Sequence, residues 1–200
     1  KIKKIFNDRN YPILIDEEGG RVSRLRNFID NSTFPQKYFG NLYTKDVKKF
    51  KSYYYVYIKQ ISYLLDTLGI NINTVPVLDL SRKNFHKIIG NRSYSSDPKK
   101  VSKIGNYCIS MFKDNKIATV MKHIPGHGLA KVDSHKKLPY VNNSLKYLYK
   151  NDFSVFKNKT CLFAMTAHIV FNKIDNKNCV THSKKVIRII RKKIGYKNII

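Results

Sequence analysis

The segment IATVMKHIPGHGLAKVDSHKKLP, residues 117–139, governs how the rest of the chain is read. Its first part, Ile117 to Val120, is apolar; it then meets Lys122-His123 and a loop bent by Pro125, Gly126 and Gly128. A short apolar run that ends in Pro and Gly reads as a buried strand delivering polar groups to its carboxyl end. In parallel α/β folds that end is where ligands bind, because the loops after the strands gather there. His123, His127, His135 and Asp133 all fall within the segment, so the candidate chemistry is concentrated here.

The same pattern recurs on both sides. Tyr11 to Ile15 is an apolar run that enters the acidic, Gly-bent loop Asp16-Glu17-Glu18-Gly19-Gly20. Ile70 to Leu80 reads as a strand with Asp79 at its end, and Thr160 to Ile169 as another that ends at His168. Between them lie helices. Asp46 caps a helix to Leu68, where Tyr54, Ile58, Ile61, Leu65 and Leu68 recur at helical spacing and Gly69 stops the run. Asp97-Pro98 opens a second over Val101 to Asn115. Ser144 to Phe156 and Ser183 to Ile194 read as two more, the last closed by Gly195. Residues between Gly20 and Asp46 read as a polar connection, and Arg82 to Ser96 as a loop containing Gly90-Asn91-Arg92-Ser93.

Alternating strands and helices predict parallel βαβ units. Neither GxGxxG nor GxxxxGK[ST] occurs, and polar residues stand at every strand end, which favours a (β/α)8 TIM barrel over a nucleotide-binding sheet. Four strands and the start of a fifth at Asn198 to Ile200 fall short of eight. The expectation is therefore one domain over residues 1–200, a TIM barrel present as an incomplete fragment that lacks the first and the C-terminal strands.

Composition narrows the class. An apolar fraction of 42%, with 14 Tyr and 11 Phe, is enough for a core and argues against global disorder. No apolar run reaches membrane-spanning length and the amino end carries no signal-peptide pattern, although the chain opens at Lys1. Cys108, Cys161 and Cys179 lie far apart in ordinary settings, which fits a reducing compartment. A cytoplasmic location is expected. The formal charge of +26, from 39 basic and 13 acidic residues, would attract polyanions. Its basic residues are spread through a chain rich in Lys, Ile, Asn and Tyr, with no nucleic-acid-binding motif among them, so composition accounts for the charge. Neither a specific nucleic acid nor a membrane is expected as a partner.

Several ordered segments resemble glycoside hydrolase family 3. Ile15-Asp16-Glu17-Glu18-Gly19-Gly20-Arg21-Val22-Ser23-Arg24 resembles its D-[QE]-E-G-G-x-V-x-R segment. Val75-Pro76-Val77-Leu78-Asp79 and Gly90-Asn91-Arg92-Ser93-Tyr94 are similar to the next two signatures. Lys122-His123-Ile124-Pro125-Gly126-His127-Gly128 with Asp133-Ser134-His135 resembles the β-N-acetylhexosaminidase branch; the glucosidase branch shares the Lys-His part but not the Asp-x-His triplet. Met165-Thr166-Ala167-His168 follows in order, and the likeness spans nearly all 200 residues.

The resemblance implies retaining hydrolysis of terminal β-linked N-acetylglucosamine, with peptidoglycan recycling, on a GlcNAc-containing muropeptide, as the expected setting. By position, His135 would be the acid/base and Asp133 the residue that orients it, while Asp16, Arg24, Arg92, Lys122 and His123 would bind the sugar. Most retaining glycosidases pair a carboxylate nucleophile with a second carboxyl group about 5–5.5 Å away. An imidazole titrates near neutrality and can do the second group's work, donating to the leaving oxygen and then accepting from water. The family's nucleophilic aspartate follows a G-[FY]-x-G-x-x lead-in; Gly195-Tyr196-Lys197-Asn198-Ile199-Ile200 resembles that lead-in and the chain ends there. Residues 1–200 alone are therefore expected to be inactive. His127 reads as a hydrogen-bonding support, and His168 as either a pocket wall or a packed structural group.

No cofactor is expected, and the protein is expected to be a monomer. Three rivals remain in view. A metal site would need convergence of His123, His127, Asp133 and His135, whose spacing fits neither HExxH nor a paired-Cys site. The same fold with a histidine acid/base would also admit phosphate as acceptor, giving phosphorolysis. From another class, a basic nucleic-acid-binding protein would show salt-dependent binding without glycosidase activity.

Overall fold

A computed structural model describes residues 2–82, 88–133 and 136–200. Its frame is a parallel sheet of four strands, β1 (Leu14–Ile15), β2 (Ile72–Asn73), β3 (Ala118–Ile124) and β5 (Phe163–Thr166), in that spatial order. Ile15 sits opposite Asn73, Asn73 opposite Thr119, and Met121 opposite Ala164. A parallel bridge between Phe163 and Ile199 continues the sheet, as expected for a strand starting near Asn198. The expectation of an α/β chain with a parallel sheet holds.

Helices fill the connections: α1 (Ile2–Ile5), α2 (Gln36–Lys45), α3 (Val47–Thr67), α4 (Pro98–Asp114), α5 (Leu145–Lys150) and α6 (Lys184–Ile189). Asp46 caps α3 by accepting from the Lys49 N–H, and Asp97 caps α4 by accepting from Lys99 and Lys100. Each cap satisfies donors that the first turn leaves unpaired. The inner faces of α3 and α4 carry Phe50, Tyr54, Ile58, Ile61 and Leu65 on one side and Val101, Ile104, Cys108 and Phe112 on the other, all buried. Each such side chain contributes about 1.5–3 kcal/mol by leaving water, so this layer anchors the sheet. No helix among the described residues is long and apolar enough to cross a membrane.

Several expectations need correction, and the strand over Tyr11 to Ile15 is regular only at Leu14–Ile15. The strand over Ile70 to Leu80 is regular only at Ile72–Asn73. Pro76 has no N–H to give a ladder, yet its carbonyl accepts from Lys122 and Leu78 donates to the Lys122 carbonyl, so the segment still runs beside β3. The strand over Thr160 to Ile169 is regular only across Phe163–Thr166. The helix over Ser144 to Phe156 is broken: Asn151 turns its side chain back onto the Tyr147 carbonyl, and a 3-10 turn, Ser154–Phe156, follows. Side-chain competition of this kind is typical of Asn. The last helix changes after Ile189 to a π turn, Ile190–Ile194, closed by the left-handed Gly195.

The expected polar connection before Asp46 contains α2, and a second parallel pair, β4 (Tyr140–Val141) with β6 (Val170–Phe171), lies outside the main sheet. Cys108, Cys161 and Cys179 are free and buried, so no disulfide staples the chain.

Candidate active site

The carboxyl ends of β1 (Asp16, Glu18), β3 (Lys122, His123) and β5 (Met165, Thr166), with the loop that carries Arg92, converge on a cleft of about 330 Å³. Asp16, Arg24, Arg92, Lys122 and His123, five of the seven predicted site residues, line it, together with Glu18, His127, Thr166 and His168. Of the other two, Asp133 is half-buried and is not on the cleft wall. Its carbonyl accepts from the N–H groups of Lys136 and Lys137. The expected acid/base His135 lies outside the described residues, as does His86. A larger hollow of about 590 Å³, lined by Phe34, Tyr38, Tyr53, Val56 and Tyr57 beside α3, gathers aromatic surface with Asp30 as its one charged side chain. Convergent charged groups sit in the smaller cleft.

Lys122 is the electrostatic centre. Its Nζ is buried and donates to Asp16 Oδ1 at 2.8 Å and Thr74 Oγ1 at 2.8 Å, with Glu18 Oε1 at 2.6 Å. An ammonium has three protons, and these acceptors use all three. Glu18, whose side chain is 1% exposed, also receives a two-point contact from Arg92, Nε to Oε2 at 2.7 Å and Nη2 to Oε1 at 2.8 Å. One buried carboxylate thus fixes both cations. Burial alone would raise the Glu18 pKa, but the hydrogen bonds and charges of Arg92 and Lys122 win and hold it below the usual range.

Asp16 is the acceptor left facing the cleft. Oδ1 takes the Lys122 bond and a short one from Thr74, while Oδ2 has Arg24 Nη2 at 3.9 Å. Its side chain is 38% exposed, so a small polyol can reach it. Burial pushes its carboxyl up, and Lys122 and Thr74 bring it down to a net lowering.

A second cluster holds the histidines. Asp79, fully buried, pairs with His123 through Oδ2 and Nδ1 at 2.6 Å, and its Oδ1 accepts from the His127 N–H at 2.6 Å. Burial raises the Asp79 pKa, but the His123 charge and bond prevail and keep it low. An ionised Asp79 only accepts, so His123 donates from Nδ1 and Nε2 is its other working atom. Lys122 and His123 are joined by a cis peptide.

His127 is held neutral: burial drives its pKa down to about 4, against the Asp79 charge and with the help of His123. A lowered folded pKa against about 6.5 unfolded means the fold is fully stabilised above pH 6.5 and loses that part as pH falls towards 4. The loss is on the order of 3 kcal/mol. His127→Gln should therefore flatten the fall in urea midpoint between pH 7 and pH 4. An unchanged profile would show that His127 does not carry it.

Glu18, Thr74 and Asp79 are the site residues that sequence reasoning passed over. Their only signals were position: Glu18 in the quoted acidic loop, Asp79 at a strand end. His168 lines the cleft, and its Nδ1 packs 3.9 Å from Cys179 Sγ. Among the described residues, no three His, Cys, Asp or Glu side chains converge as a metal site.

A family model described as the glycosyl hydrolase family 3 N terminal domain matches residues 9–200. The β-hexosaminidase of Neisseria meningitidis serogroup A is 32% identical over 94% of this chain and 53% of its own length. The crystal structure of NagZ from Neisseria gonorrhoeae in complex with N-trifluoroacetyl-D-glucosamine is 28% identical, with a TM-score of 0.85 over 94% of this chain and 56% of that one. A β-N-acetylglucosaminidase of family 3 from Paenibacillus has a TM-score of 0.81 at 30% identity, over 94% of this chain and 36% of its own. The chain spans about half the length of several of the curated relatives it matches.

Proposed function

The chain belongs to glycosyl hydrolase family 3, whose N-terminal domain is a TIM-barrel-like α/β fold, and from that membership we propose that the protein releases terminal β-linked N-acetylglucosamine by retaining hydrolysis. One observation carries this reading: the five side chains expected to bind the sugar line one cleft at the strand ends. Asp16 Oδ2 accepts hydrogen bonds from sugar hydroxyls, and Arg24 and the remaining N–H groups of Arg92 donate hydrogen bonds to sugar oxygens. Because Lys122 spends its three protons on Asp16, Thr74 and Glu18, its contact with the sugar requires one of these bonds to exchange.

In the proposed reaction a carboxylate attacks C1 while His135, oriented by Asp133, protonates the leaving oxygen. His135 then takes a proton from the water that opens the glycosyl ester. The described carboxylates of the cleft region are each tied to a cation or histidine: Asp16 and Glu18 to Lys122, Asp79 to His123. The family resemblance implies that the proposed nucleophile is an aspartate in a Ser-Asp-Asp context, outside residues 1–200. In the same way we take the four-stranded arc as part of a (β/α)8 barrel and residues 1–200 as a partial catalytic domain. Support comes from the relatives' greater length and from an open groove of about 550 Å³ lined by Leu14, Ile72, Val120, Phe163 and Ile199. A muropeptide as substrate, a role in peptidoglycan recycling, a cytoplasmic setting and a monomeric state complete the proposal; three free thiols fit the compartment.

The full-length protein should release 4-nitrophenol from its N-acetyl-β-glucosaminide and much less from the β-glucoside, while residues 1–200 alone release none. Steady turnover by residues 1–200 would refute the external nucleophile. Preference for the glucoside would refute the branch.

A further inference from the structure

A partly buried ion pair that plays no part in the proposed chemistry lies against the start of the loop leading from Gly126 to Asp133. Arg82 follows the segment that runs beside β3, and Asp152 follows α5. Arg82 Nη2 donates to Asp152 Oδ2 at 2.9 Å, and the Asp152 side chain is 2% exposed. The Arg82 guanidinium also lies over the Tyr147 ring, 5.9 Å from its centre.

The start of the loop packs closely against Asp152 and against the segment before Arg82. Gly126 has φ +137, and a Cβ added there would come within 2.9 Å of the Asp152 Cβ. A Cβ on Gly128 would collide with the carbonyl oxygen of Leu80, two residues before Arg82. The loop is thus pressed between the neighbours of both partners.

The pair is also unsaturated. Arg82 Nε and Asp152 Oδ1 are buried with no hydrogen-bond partner among the described residues. Burial pushes the Asp152 carboxyl up to about 6, against the pull of Arg82. A buried pair kept for stability alone holds its place only when its remaining groups are satisfied, and a well-packed apolar pair often does as well. The two unpartnered atoms lie at the foot of the loop that leads to the proposed acid/base.

We propose that Arg82 and Asp152 are a positioning pair that fixes the base of the Gly126–Asp133 loop and so sets how the following acid/base histidine is presented to the cleft. This rests on the glycosidase reading and deepens it. A displaced proton donor costs most when the leaving group is basic and little when it departs unaided. Asp152→Asn in the full-length protein should lower kcat/KM for phenyl N-acetyl-β-glucosaminide about tenfold and leave the 2,4-dinitrophenyl glycoside within about twofold. Gly126→Ala, which presses the same joint from the other face, should give the same selective loss. Independently of activity, amide hydrogen exchange across residues 126–133 should be faster in Asp152→Asn than in the wild type. Selective loss with faster exchange supports the positioning pair. Equal loss on both glycosides, or unchanged exchange, overturns it. A wild-type protein inactive on both would refute the glycosidase reading, and the exchange comparison would still decide the role of the pair.

Discussion

Lys122→Met should lower kcat/KM about 100- to 1,000-fold, the scale of removing one preorganised donor from a charged site. The reason lies in the geometry. The Lys122 ammonium sits within 2.6–2.8 Å of Asp16, Glu18 and Thr74, and without it the Asp16 and Glu18 carboxylates face each other across the cleft floor. Arg92 still neutralises Glu18, so Asp16 loses most. A sugar that relies on Asp16 then meets a carboxylate whose position and charge balance have changed, and KM should rise with the fall in turnover. Breaking a buried pair costs about 3–5 kcal/mol, so the melting temperature should drop in the same variant. Lys122→Arg should not rescue it, because a planar fork cannot reproduce three converging contacts on one nitrogen. An activity within tenfold of wild type would remove Lys122 from the site.

His135→Ala should have the second large effect, a fall of about 100- to 10,000-fold in kcat/KM for poor leaving groups with KM changed only a few-fold. Its argument comes from the Asp-x-His triplet and the loop rather than from a distance. Asp133 lies off the cleft wall, on the loop that leaves β3 through Pro125, Gly126 and Gly128. The activated 2,4-dinitrophenyl glycoside should be spared, because it leaves without a proton. Equal losses on both glycosides, or a matching rise in KM, would assign His135 to binding or structure. The Asp152→Asn effect should resemble this one in pattern and be smaller, since it acts through the loop.

Much of this was legible before any coordinates, and the reason is local. Asp46 and Asp97 announce the starts of α3 and α4 by side-chain chemistry that needs only the next three residues. The end of β1 was legible because an apolar run stops abruptly at Asp16, whereas β3 runs on through Lys122 to Ile124 and β5 stops at Thr166, before His168. What stayed hidden depended on distant partners. Glu18 meets Arg92 across 74 residues of sequence, and Lys122 meets Asp16 across 106. Nothing local says that Glu18, rather than Glu17, is the anchor; Glu17 instead accepts from the backbone of Arg24 and Leu25 and from Asn31. The α2 helix was hidden because Gly40 and Thr44 interrupt the pattern of Phe39, Leu42 and Tyr43, which tertiary packing completes.

The central claim is a retaining transfer of N-acetylglucosamine to water in the cleft of Asp16, Arg92 and Lys122. Proton NMR of the first sugar formed tests it directly, with the full-length protein acting on 4-nitrophenyl N-acetyl-β-glucosaminide in phosphate buffer. The β-anomer of free N-acetylglucosamine should appear first and convert slowly to the α-anomer. The α-anomer first, a sugar 1-phosphate, or no cleavage at all would contradict it.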